Sequence, residues 1–192
     1  MHYLDSPEQA LLVIPLFTDI VPNGGGTIIC PEAIPKIANY LYEHPDGVSP
    51  HFKTRAEPDF KVVDYRHGVN RYNELVQGCE EFVEVTGKIG DVYLLHPFMM
   101  HSASHNALRN IRIITNPPVA LKEPHCFERA GGDYSLVERK TMESVGGEEK
   151  LKGWRIEGAR ERIFPEMWKD KEVMKREEVR RMEEARKIPA AA

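Results

Sequence analysis

The sequence has 192 residues, room for one domain and an appendage at the usual size of about 100–200 residues per domain. At 41% hydrophobic it can bury a core, and a net charge of -4 excludes the broad basic field that draws nucleic acid or an anionic membrane. Cys30, Cys79 and Cys126 form neither a CxxC pair nor a disulfide framework, so a reducing, cytoplasmic setting is expected.

In chain order, ALLVIPLFTDI (10–20) is apolar and β-rich without a helical period, and it predicts a buried strand. Its apolar stretch follows Asp5 and Glu8, where a secretory leader would be basic, and it is too short to span a bilayer. PNGGGTIIC then reads as a turn through Gly24–Gly26 and a second strand from Thr27 to Cys30. PEAIPKIANYLYEH (31–44) places Ile34, Ile37, Ala38 and Leu41 at helical spacing, with Pro31 suited to the start. Residues 45–60 have loop composition. FKVVDY predicts a short strand and VNRYNELVQGC a short helix.

EEFVEVTGKIGDVYLLHPFMMHSAS reads as strand, Gly turn, strand, punctuated by Gly87 and Gly90-Asp91. IRIITNPPV predicts a last strand that Pro117 and Pro118 end. Several short strands with one inserted helix favour an antiparallel barrel or jelly roll, hence a mainly β domain over 1–125. From about 126 the character changes, and 126–192 reads as a C-terminal extension. Within it KDKEVMKREEVRRMEEARK, part of a predicted helix at about 166–187, is dense in charge and predicts an exposed helix held by i,i+4 pairs.

The chemistry concentrates in HPFMMHSASHNALRNIRI (96–113). His101 stands at the end of an apolar run, with Ser102, Ala103 and Ser104 leaving room beside its imidazole. A polar residue there, facing a cavity, is where barrel folds put ligands, and neutral imidazole is the commonest metal-binding side chain. Arg112 lies between Ile111 and Ile113, which on a strand point to the other face. Its planar fork suits a carboxylate held bidentately, unless it simply faces solvent.

GDVYLLHPFMMHSASHN…R, with the upstream LFTDIVPNGGGTIICP, resembles the phytanoyl-CoA dioxygenase family, over residues 1 to about 125. The resemblance implies a double-stranded β-helix (a cupin-like jelly roll) and an Fe(II)- and 2-oxoglutarate-dependent dioxygenase that hydroxylates a small organic or acyl substrate with O2. It makes His101 the distal iron ligand and Arg112 the residue that binds the far carboxylate of 2-oxoglutarate. It offers Ser102 or Ser104 as an assisting hydroxyl, gives His96 a role off the metal, and places Phe17 near a cofactor-lining aromatic. His105 and Arg109 are expected at the surface.

Such a site needs two histidines and one carboxylate on one face of the metal. The family supplies the others as an H-x-D pair, expected just before PEQALLVIPLF, where this sequence begins. A partial jelly roll, truncated at its N-terminus and lacking early strands, is therefore expected. His2 and Asp5 are weaker candidates, because H-x-x-D puts them on opposite faces of a strand. His44-Pro45-Asp46 is a helix exit, and His51, His67 and His125 are expected in solvent. The alternative function is a catalytically silent binding or interaction module, with homodimer contacts through an open sheet edge or the C-terminal helix. No nucleic acid or membrane partner is expected. Lys53, Arg55, Lys61 and Arg66 are offset by Glu57, Asp59 and Asp64, so no substrate is named.

Overall fold

The first apolar run forms β1 (Leu11–Pro15), and TIIC forms β2 (Thr27–Cys30). The computed structural model describes residues 1–61, 70–163 and 166–186; the strand expected at FKVVDY, and His67, fall largely or wholly outside them. Between the strands, Gly26 is fixed by close approach: a Cβ there would lie 2.4 Å from the Val85 carbonyl oxygen. The Gly26 and Asn23 N–H groups both donate to the Glu84 carboxylate, at 2.9 and 2.8 Å, which ties the glycine turn to the next strand of that sheet.

α1 (Ala33–Glu43) buries Ile34, Ile37, Ala38 and Leu41, the stripe its spacing predicts. α2 (Asn70–Val76) is followed by β3 (Val83–Val85), β4 (Val92–Leu95), β5 (Met100–Ala103) and β6 (Pro118–Val119). α3 (Leu136–Val145), α4 (Glu148–Leu151) and α5 (Glu166–Arg186) follow among the described residues. The expected antiparallel sheets are present, but more residues lie in helices than in strands, so the fold is mixed rather than mainly β.

The strands of the described residues form two antiparallel sheets, ordered β4-β1-β6 and β3-β2-β5. The Gly turn after β3 carries the chain from one sheet to the other rather than closing a hairpin. His96 to Met99 make a further turn, with the Met99 N–H donating to the His96 carbonyl, so VYLL and MHSA are strands of different sheets. The last strand is shifted from expectation. Ile114 makes only an isolated bridge to Leu16, and regular pairing comes at Pro118–Val119. Proline is tolerated there because β6 is an edge: it lacks an N–H, while the Pro117 carbonyl accepts from Val13.

Two cores result. Ile14, Leu16, Ile20 and Leu95 are buried, with Ile29 and Ile114 packed against them, so this core draws on both sheets. The larger core joins Leu4, Cys30, Ala38, Leu41 and Val48 to Phe127, Tyr134, Met142, Val145 and Leu151, so residues on either side of 125 share it. By contrast, 171–184 of α5 are exposed throughout. Among the described residues, no helix is long and apolar enough to cross a membrane.

Candidate functional site

β5 is the edge strand of its sheet, and its residues line a cavity of about 500 Å³. Ile28 to Cys30 of β2 and Met99 to Ser102 form one wall. Ile37 and Leu41 of α1, Tyr72, Asn73 and Val76 of α2, and Phe52 form the others, with His2 and Tyr3 from the start of the chain. Phe52 reaches the cavity because the 45–60 loop folds inward. Ser49 is fully buried, its hydroxyl accepts from the His51 and Lys53 N–H groups, and Tyr40 donates to the Phe52 carbonyl at 2.7 Å. Among the described residues the lining holds no Asp, Glu, Lys or Arg, so it suits an uncharged, largely apolar ligand.

His101 is exposed beside this cavity. It pairs in register with Ile29, and directly opposed residues share a face, so it belongs to the face that contributes Ile29 to the inter-sheet core. Its Nδ1 lies 3.0 Å from the Met99 carbonyl oxygen. A carbonyl can only accept, so Nδ1 carries the proton and the Nε2 lone pair is available. Metal-binding histidines are held in this manner. Ser102 lines the same cavity but spends its hydroxyl on the Ala103 carbonyl at 3.2 Å. Ser104 donates to Glu84 at 3.3 Å and belongs to the glycine-turn clamp.

Arg112 is half-buried between Ile111 and Ile113, which are 79% and 52% exposed. The Phe17 N–H donates to the Ile113 carbonyl and Ile114 bridges Leu16, so this stretch runs extended beside the first sheet. Alternation then gives Arg112 the face of Ile114, which packs on the inter-sheet core. Arg112 does not line the cavity, nor does Phe17, which is 52% exposed.

His2 lines the cavity, and burial, reinforced by the charge of the chain's amino terminus and by His51, lowers it to about 4, so it is neutral at pH 7. Asp5 is committed elsewhere. Its Oδ2 accepts from Arg160 at 2.8 Å, and its carbonyl accepts from the His125 N–H. The two candidates are therefore not brought together. Among the described residues, the one group of three metal-binding side chains within reach of each other is Cys30, Glu32 and Cys79, which does not include His101. The described residues thus do not complete a two-histidine, one-carboxylate set.

His96 is half-buried, with Nε2 3.1 Å from Thr141 Oγ1. His105 and Arg109 are exposed as expected. His44 caps α1, its Nδ1 2.7 Å from the Tyr40 carbonyl. His51 and His125 depart from expectation: His51 is 4% exposed, and the His125 side chain 6%. Both lie in segments whose composition is that of loops, close in sequence to Phe52 and Phe127 of the larger core. The thiol pair of Cys30 and Cys79 is a tertiary feature that no local spacing announces. Comparison with family models, curated proteins and solved structures finds no match for this chain.

Proposed function

We propose that the chain is the oxoacid-binding part of a non-haem Fe(II)- and 2-oxoglutarate-dependent dioxygenase of the phytanoyl-CoA dioxygenase type, acting on a small, uncharged and largely apolar molecule. One observation carries the reading: His101 and Arg112, eleven residues apart in the sequence, belong by register and by alternation to faces that contribute to the same inter-sheet core. The strand order supports a jelly roll. Successive strands fall in the first, second, second, first, second and first sheet, the alternation of a double-stranded β-helix. On this reading His101 offers Nε2 to iron, Arg112 pairs with the far carboxylate of the oxoacid, and the apolar cavity beside His101 receives the substrate. On this reading residues of the chain outside the described segments supply the second histidine and the carboxylate.

A second reading, a silent apolar-ligand module, is favoured by the commitment of Asp5 to Arg160. Anaerobic addition of Fe(II) and 2-oxoglutarate to the full chain separates the two. The oxygenase reading expects a weak visible charge-transfer band that His101→Ala abolishes and Arg112→Ala weakens. Folded protein that binds an apolar dye but gives no band refutes it for this chain and leaves the module.

A further inference from the structure

The three-residue cluster beside the cavity has a chemistry of its own. Cys30 closes β2, is 2% exposed, and its thiol is hydrogen-bonded with that of Cys79. Cys79 is half-buried, three residues past α2, where Gly78 at φ 76° turns the chain back. The exposed Lys36 on α1 reaches over it, Nζ donating to Cys79 Sγ at 3.0 Å. Glu32 fixes the arrangement: its Oε2 accepts the Glu80 and Glu81 N–H groups at 2.6 and 2.8 Å and so pins the segment carrying Cys79 to the start of α1. The two sulfurs and a Glu32 oxygen all lie within 4.8 Å of one another.

We propose that Cys30 and Cys79 are a reversible dithiol–disulfide pair, with Cys79 as the thiol that meets the oxidant and Lys36 as the cation hydrogen-bonded to its sulfur. The thiolate is the reactive form, and a neighbouring ammonium favours it. Burial, together with the hydrogen bond to Cys79, pushes the Cys30 thiol up to about 11, so Cys30 stays protonated and resolves the intermediate rather than starting the reaction.

With hydrogen peroxide as oxidant, the Cys79 thiolate attacks one peroxide oxygen. An S–O bond forms, the O–O bond breaks, and the departing hydroxide takes a proton to become water. The Cys30 sulfur then attacks the Cys79 sulfur of the sulfenic acid and displaces its hydroxyl, which leaves as water with the Cys30 proton. Two thiols have lost two electrons and two protons, and one peroxide has become two waters. A small dithiol reverses the bond by exchange.

A divalent cation fits less well. The Lys36 ammonium already occupies the approach to Cys79, and one Glu32 oxygen is taken by two backbone donors. The disulfide would join the end of β2 to the segment following α2, whose Tyr72, Asn73 and Val76 form a cavity wall, so the redox state bears on the shape of the ligand site.

The test treats the full chain with hydrogen peroxide, alkylates the remaining thiols and maps them by mass spectrometry. The expected result is a Cys30–Cys79 cross-link with Cys126 still alkylated, reversed by dithiothreitol. Cross-linking at neutral pH should be about tenfold slower in Lys36→Met and close to the parent rate in Lys36→Arg, the change expected from losing the hydrogen bond to the attacking sulfur. Lys36 is exposed, and circular dichroism confirms that each variant is folded. Cys79 over-oxidised while Cys30 remains a free thiol overturns the proposal. Zinc bound to the reduced chain and shielding both thiols until a chelator removes it overturns it as well.

Discussion

Glu138 is 2% exposed on the first turn of α3, and its carboxylate accepts the Cys126 and Ser135 N–H groups and the Arg129 guanidinium, each at 2.8 Å. Burial alone would raise its pKa. Arg129 and these backbone donors prevail and hold it down at about 2. Ser135 returns the bond by accepting the Glu138 N–H, which makes the pair a capping box. Glu138→Gln keeps the shape but removes the charge from a buried network, with an expected cost of about 1–3 kcal/mol. Ser135→Ala removes one cap and should cost about 1 kcal/mol. Urea unfolding measures both, and a Glu138→Gln midpoint equal to the parent's would sink the account. This box was written in the sequence as Ser135-Leu136-Val137-Glu138, with Gly146 past the helix end, yet the charge density farther along the tail masked it. The place of His101 on a strand beside the cavity was legible because an apolar run ends on it. The burial of His51 and His125 was not, since it depends on which loops fold inward.

At the level of elements, the sequence was most informative where one periodicity met one environment. α1 buries the four residues its spacing named because a single face meets a single core. β3 and β4 were visible as strands, but their assignment to different sheets was not, since a Gly turn serves a hairpin and a sheet crossing alike. The Arg112 stretch was expected as a strand and is extended, but without a regular ladder. α5 behaves as its composition requires. Arg180–Glu184 and Arg181–Glu177 pair at 2.9 Å at i,i+4 spacing, and side chains 171–184 are exposed. Such pairs stabilise a helix by only about 0.2–0.5 kcal/mol each. Replacing Arg180 and Arg181 together by alanine should therefore change the unfolding free energy by no more than about 1 kcal/mol. A larger loss in denaturant unfolding would show that α5 packs against the body.

The molecule as a whole joins its two sheets and its helices through groups that resist protonation, and this sets its response to acid. The Phe98 N–H donates to His96 Nδ1 at 3.1 Å, so that nitrogen must keep its lone pair, while Nε2 carries the proton toward Thr141 of α3. Burial, with His125 and Lys140 nearby, holds His96 down at about 4, even though the Val137 carbonyl favours the charged form. His2 sits at about 4 by burial as well. In the unfolded chain both return toward the ordinary value of 6.5. Between pH 6.5 and about 4 the unfolded state therefore binds more protons, and stability falls as pH falls, by about 1.4 kcal/mol per pH unit for each fully titrating group. The Glu138 contribution is complete above its ordinary 4.5 and is lost only as pH drops from there toward about 2, so it extends the acid limb rather than starting it. Urea unfolding from pH 7.5 to 3.5 should show stability declining from near 6.5, with His125, which burial also holds below its ordinary value, steepening the fall set by His96 and His2. His96→Gln, which cannot titrate, should lower the slope by about one proton. Stability that stays flat between pH 6.5 and 4.5 would mean that the His96 and His2 rings are not held neutral, and that the contact between the His96 turn and α3 is looser than the hydrogen bonds to Phe98 and Thr141 require.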